Sequence, residues 1–116
     1  MTIEQCYQQF GGDFAGVSSR LRKPETLKRL LLLFLQDTNM NDFLKAKDEG
    51  RENDAFRAVH TLKGLALNMG FTALAKESSE LTELFRNGIK DGRETLTART
   101  QEEYKKVVDA LRQMDA

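Results

Sequence analysis

Only one cysteine, one histidine and one proline occur among the 116 residues, and the eighteen acidic side chains cancel the eighteen basic ones. Each scarcity excludes something. Cys6 has no second cysteine in the chain, so an internal disulfide framework is ruled out and a reducing compartment fits. One cysteine with one histidine is too few for a metal centre of the usual four-ligand kind. Without net charge there is no overall field to gather nucleic acid or an anionic membrane surface. The longest apolar run, Leu30 to Leu35, is far below the roughly 20 residues a membrane-spanning helix needs. No N-terminal stretch joins a basic segment, an apolar segment and a small-residue cleavage site, so secretion is not expected. Gly11-Gly12 lacks the spacing and the following lysine of a phosphate loop, and no glycine-rich or acidic ATP-binding box occurs. The expectation is a cytoplasmic, metal-free chain with no cofactor of its own and with neither nucleic acid nor membrane as partner.

Strand signals are also nearly missing, since no stretch alternates apolar and polar residues with β-branched enrichment. What is present is helical. Apolar residues make up 40% and charged residues 31%, the composition of a globular domain, and the length suits one core over residues 1–116. Glycines and the single proline fall between stretches with helical periodicity. Thr2 can cap a short helix through Phe10, and a second short helical stretch runs from about Asp13 to Leu21. Pro24 suits the first turn of a helix whose apolar face holds Leu27, Leu30, Leu31, Phe34 and Leu35. Asn41 is a candidate cap for a short helix over about 41–49. Longer helices follow over about 53–69, 72–87 and 93–114, the last with Leu96, Thr100, Tyr104, Val107, Leu111 and Met114 at spacings of three or four. Short turns between helices make neighbours antiparallel. The fold expected is all-α, an antiparallel up-and-down four-helix bundle in which 24–36 and 41–49 share one arm, with extra short helices at about 2–21.

On the helix from Asn53 to Met69, Ala55, Val59, Leu62, Ala66 and Met69 fall in one sector and define its core face. His60 lies roughly 140° from the middle of that stripe, so its ring points outward. Lys63 and Gly64, three and four residues later, share its patch, while Phe56 one turn before and Leu67 two turns after frame it with apolar groups. Gly64 is the anomaly, because glycine inside an exposed helix face costs about 1 kcal/mol relative to alanine. Close approach of another surface would offset that cost. Taken singly these residues are commonplace: a lone histidine is usually a solvated or satisfied side chain, Lys63 an ordinary surface lysine, and Cys6 a small buried hydrophobe. It is the spacing that changes the reading.

His60-Thr61-Leu62-Lys63-Gly64, with Asn68 and then Gly70, resembles the signature of the histidine-containing phosphotransfer (HPt) family, H-x-[LIF]-K-G-x5-G. The resemblance extends, through the helical layout, over nearly all of the chain. It implies a phosphoryl carrier in a two-component phosphorelay, accepting phosphate on His60 from an aspartyl phosphate of a response-regulator receiver domain and passing it to another receiver. A hybrid sensor histidine kinase is a further partner of this kind. It also implies that Lys63 balances the phosphoryl charge, that Gly64 leaves room for the incoming receiver, that Gly70 ends the helix, and that Mg2+ comes with the receiver. Family members place polar or basic residues on the next helix that orient the histidine or its phosphate. Here Leu74, Ser78, Leu81 and Phe85 form that helix's core stripe, and Arg86 and Thr82 on its flank are the candidates. Taken alone, Arg86 reads first as a solvated residue favouring the helix C-terminus. Leu65 and Leu67 depart from the family pattern, where small residues are common, which bears on the docking surface. The resemblance favours a monomer and a carrier without kinase activity of its own. The alternative is a helical adaptor that binds a receiver or kinase without accepting phosphate.

Overall fold

The computed structural model describes residues 1–115 and is all-α. Seven helices follow one another: α1 (Ile3–Phe10), α2 (Phe14–Leu21), α3 (Pro24–Leu35), α4 (Asn39–Asp48), α5 (Glu52–Asn68), α6 (Thr72–Arg86) and α7 (Arg93–Leu111). Local chemistry accounts for most of the starts. Thr2 accepts a hydrogen bond from the Gln5 amide while the Gln5 side chain accepts one from the Thr2 amide, a reciprocal capping box for α1. Asp13 accepts from the Gly16 amide at the head of α2, and Pro24 opens α3, where its missing N–H costs nothing.

The start of α4 corrects the sequence reading. Asn41 is not its cap but lies in its first turn, exposed, because the carboxylate of Asp37 accepts from both the backbone and the side-chain amide of Asn39 and lets the helix begin two residues earlier. α7 ends at Leu111, with Arg112 and Gln113 in a turn rather than in the helix.

Helix α5 packs between α4 and α6, and α6 between α5 and α7. The first arm expected for the bundle is two helices with a break at Gln36–Thr38: α4 lies along α5, whereas α3 leans on α2 and α7. Leu27, Leu31 and Phe34 of α3 are buried, Leu30 and Leu35 half-buried, and Leu32 and Leu33 exposed. Aromatic rings tie one end together: Phe71, just before α6, lies 5.0 Å from Phe34, 5.3 Å from Phe10 and 5.9 Å from Tyr7 between ring centroids. At that end the Tyr7 hydroxyl donates to the Met69 carbonyl at 2.6 Å, closing off a free helix-end acceptor of α5. Burial pushes the Tyr7 phenol upward in pKa, so it stays a neutral donor. Cys6 is fully buried, its thiol against the Ala110 carbonyl at 3.2 Å and its pKa raised by burial, the surroundings of an inert cysteine.

The opposite end is held by charge. Arg93, only 8% exposed, lies over the Phe85 ring at 3.8 Å, donates to the Ile89 carbonyl and pairs with Glu52 at 3.0 Å. Lys90 reaches the same carboxylate at 3.0 Å, so the first residue of α5 is fastened to the head of α7. Those two cations hold the Glu52 carboxyl below its ordinary pKa. The result is that α5, which carries His60 in its middle, is anchored at both ends. Among the described residues no helix is long and apolar enough to cross a membrane.

Candidate functional site

Helix α5 has two different long faces. Its inward face is built of Ala55, Ala58, Val59, Leu62 and Ala66, all buried, with Met69 continuing the stripe past the last turn. Three alanines let α4 and α6 approach closely, and the fit on both sides sets the rotation of α5. That rotation leaves His60 exposed, with Phe56, Lys63, Gly64 and Leu65 half-buried around it and Leu67 exposed at 54%. Phe56, His60, Lys63, Gly64 and Leu67 thus form one strip along the outside of the helix, as their spacing requires.

Within the strip the imidazole of His60 stacks on Phe56, ring centroids 5.5 Å apart and planes inclined by 17°. Among the described residues neither His60 nor Lys63 has a hydrogen-bond or ion-pair partner for its side chain. A nucleophilic ring and a cation one turn away are therefore both uncommitted. Gly64 has ordinary helical backbone, and a Cβ built on it would meet nothing within 4 Å. Its lack of a side chain answers no need within the chain. Gly70 is the opposite case: its φ is +71°, and a Cβ there would lie 2.9 Å from the Asp13 carbonyl oxygen. Gly12 is crowded in turn, its hypothetical Cβ 2.8 Å from the Gly70 oxygen, while the Asp13 amide donates to that oxygen at 2.8 Å. The two glycines let the segment between α1 and α2 cross the end of α5.

The two candidates on α6 part company. Arg86 makes no hydrogen bond to His60; its guanidinium carbon lies 5.0 Å from the Phe56 ring centroid and its Nε donates to Glu83 at 3.0 Å. It therefore meets the strip through Phe56. Thr82 is fully buried and its hydroxyl donates to the Ser78 carbonyl at 2.6 Å. The hydroxyl expected to orient the histidine thus donates within its own helix, and Thr82 and Ala75 are buried together with Leu74, Ser78, Leu81 and Phe85. Sequence reasoning missed the stack itself, whose only advance signal was the four-residue spacing of Phe56 and His60. It missed Arg93 altogether, since an arginine after a glycine reads as solvated. Among the described residues no group of three or more His, Cys, Asp or Glu side chains could hold a metal ion.

An outward histidine with an unpaired lysine one turn on and an unobstructed glycine beside them is an arrangement able to receive an anionic group from a docked partner. The chain belongs to the Hpt domain family, whose profile matches residues 24–114. Hpt domains serve histidine phosphotransfer in phosphorelays as carriers rather than kinases, working with receiver domains or kinases. No solved structure matches the chain.

Proposed function

We propose that His60 is the phosphoryl acceptor of this domain, taking the group from the aspartyl phosphate of one receiver and passing it to another. The observation that carries this reading is an exposed imidazole whose nitrogens have no partner among the described residues, beside Lys63 and the open surface at Gly64. In the forward step a neutral ring nitrogen attacks phosphorus in line. An N–P bond forms as the acyl phosphate's P–O bond breaks, the carboxylate leaves with the electron pair, and the ring's other N–H proton can pass to solvent. Delivery to the next aspartate is the same exchange reversed. Lys63 faces the phosphoryl oxygens as charge gathers on them, and Phe56 and Leu67 give the docking receiver apolar contact on either side of the polar centre. As the family resemblance implies, Mg2+ would come with the receiver's half of the complex. The setting proposed for this exchange is the cytoplasm, with the carrier acting as a monomer.

Incubation with a phosphorylated cognate receiver is expected to give an acid-labile phosphoprotein, and His60→Gln is expected to take no label while keeping its helicity. Label persisting in His60→Gln would sink the assignment. Equal receiver binding by wild type and His60→Ala, with no transfer in either direction, would turn the domain into an adaptor instead.

A further inference from the structure

Orienting an imidazole usually falls to a hydrogen bond on its second nitrogen, and among the described residues His60 has none. Its one aromatic partner among the described residues is Phe56. That pair is also unlike the seven other aromatic pairs among the described residues, which are tilted or edge-on with interplanar angles from 41° to 90°, whereas His60 and Phe56 are within 17° of parallel. From the neighbouring helix Arg86 lies over the Phe56 ring and pairs with Glu83. A chain of contacts runs from Glu83 through Arg86 and Phe56 to His60, crossing from α6 to α5.

We propose that Phe56 is a positioning residue for His60: the stacked ring fixes the plane of the imidazole while leaving both nitrogens open. The geometry explains why a stack suits a carrier better than a hydrogen bond would. The lone pair of one ring nitrogen and the N–H of the other both lie in the ring plane, so contact with the ring face restrains rotation without occupying either edge. A partner on one nitrogen would have to be accommodated each time phosphate arrives and leaves. Restraint of the ring lowers the entropy lost in reaching the in-line geometry. The inference rests on His60 being the acceptor and gives Phe56 a task separate from docking.

Phosphoramidate, a donor too small to need a docking surface, separates the two tasks. With it the His60 nitrogen forms an N–P bond as the donor's N–P bond breaks and ammonia leaves, and the ring's other N–H proton is released to water. Phe56→Leu keeps apolar bulk without a planar face. It is expected to slow labelling by phosphoramidate about two- to tenfold, the range an aromatic pair commands, with unchanged helicity and with Phe56→Tyr restoring the rate. Proton NMR of the wild type reads the stack without any variant: the carbon-bound ring protons of His60 are expected upfield, shifted by the Phe56 ring current. They should return to ordinary positions in Phe56→Leu. An unchanged phosphoramidate rate in Phe56→Leu beside slowed receiver transfer would reduce Phe56 to a docking contact and overturn the proposal. Unshifted His60 protons in the wild type, or a Phe56→Tyr as slow as Phe56→Leu, would overturn it as well. Failure of the acceptor assignment itself is distinguishable, because the wild type would then take no label from any phosphorylated receiver.

Discussion

Gly64 and Gly70 stand six residues apart, one inside α5 and one just past its end, and glycine is needed at the two places for opposite reasons. At Gly70 the chain turns through φ +71° and presses against the Asp13 carbonyl, so the missing side chain serves the fold. At Gly64 the backbone is ordinary and the space is empty, so the missing side chain relieves nothing within the fold, which is what the proposed docking of a receiver would explain. A residue that costs stability and relieves no internal crowding points to a partner.

The sharpest way to break this contrast is Gly64→Gln. Helicity should hold and receiver transfer should fall by an order of magnitude or more; undiminished transfer would remove the argument from close approach. Gly70→Ala should do the reverse, destabilising by roughly 2 kcal/mol or more through the left-handed backbone and the collision with Asp13, as read by urea unfolding. A Gly70→Ala variant as stable as wild type would mean that the crossing of α5 by the α1–α2 segment is looser than described. Gly64→Ala should raise stability by up to about 1 kcal/mol while slowing transfer, so that stability and function move in opposite directions at one site.

The smallest effect belongs to the charged end of the bundle. Glu52 has its folded pKa lowered by Arg93 and Lys90, so the stabilisation it brings is present above the ordinary carboxylate pKa and is lost as pH falls through the depressed folded value. Its carboxylate is about half exposed and therefore screened, which limits the gain to under about 1 kcal/mol. The stability difference between wild type and Glu52→Gln should thus be small at pH 7 and vanish in acid. A difference that grew on acidification would contradict the pairing.

Much of the site is legible in the sequence because helix geometry is local. The outward direction of His60 follows from the buried stripe Ala55, Val59, Leu62, Ala66 and Met69, and the adjacency of Lys63 and Gly64 from spacing alone. The α7 stripe is legible for the same reason, with Thr100, Val107 and Leu111 buried, Leu96 and Tyr104 half-buried, and Met114 half-buried just past the helix end. Rotation of one helix against two neighbours is not local. The full burial of Thr82 cannot be read from a wheel drawn for α6 alone, because it depends on the helices packed on either side. Arg93 escapes notice because its burial depends on Phe85 of α6 and Glu52 of α5, residues distant in the chain.

The sequence by itself determined the helical class, the face of α5 that carries His60 and the spacing of Lys63 and Gly64 around it. All of these are set by the 3.6-residue period and by the chemistry of turns and caps. Only the tertiary structure decided that His60 stacks on Phe56, that Arg86 reaches the site through that ring, and that Thr82 is sealed in the core. Side-chain rotamers and helix rotation answer to contacts between elements, and those exist only once the helices have packed.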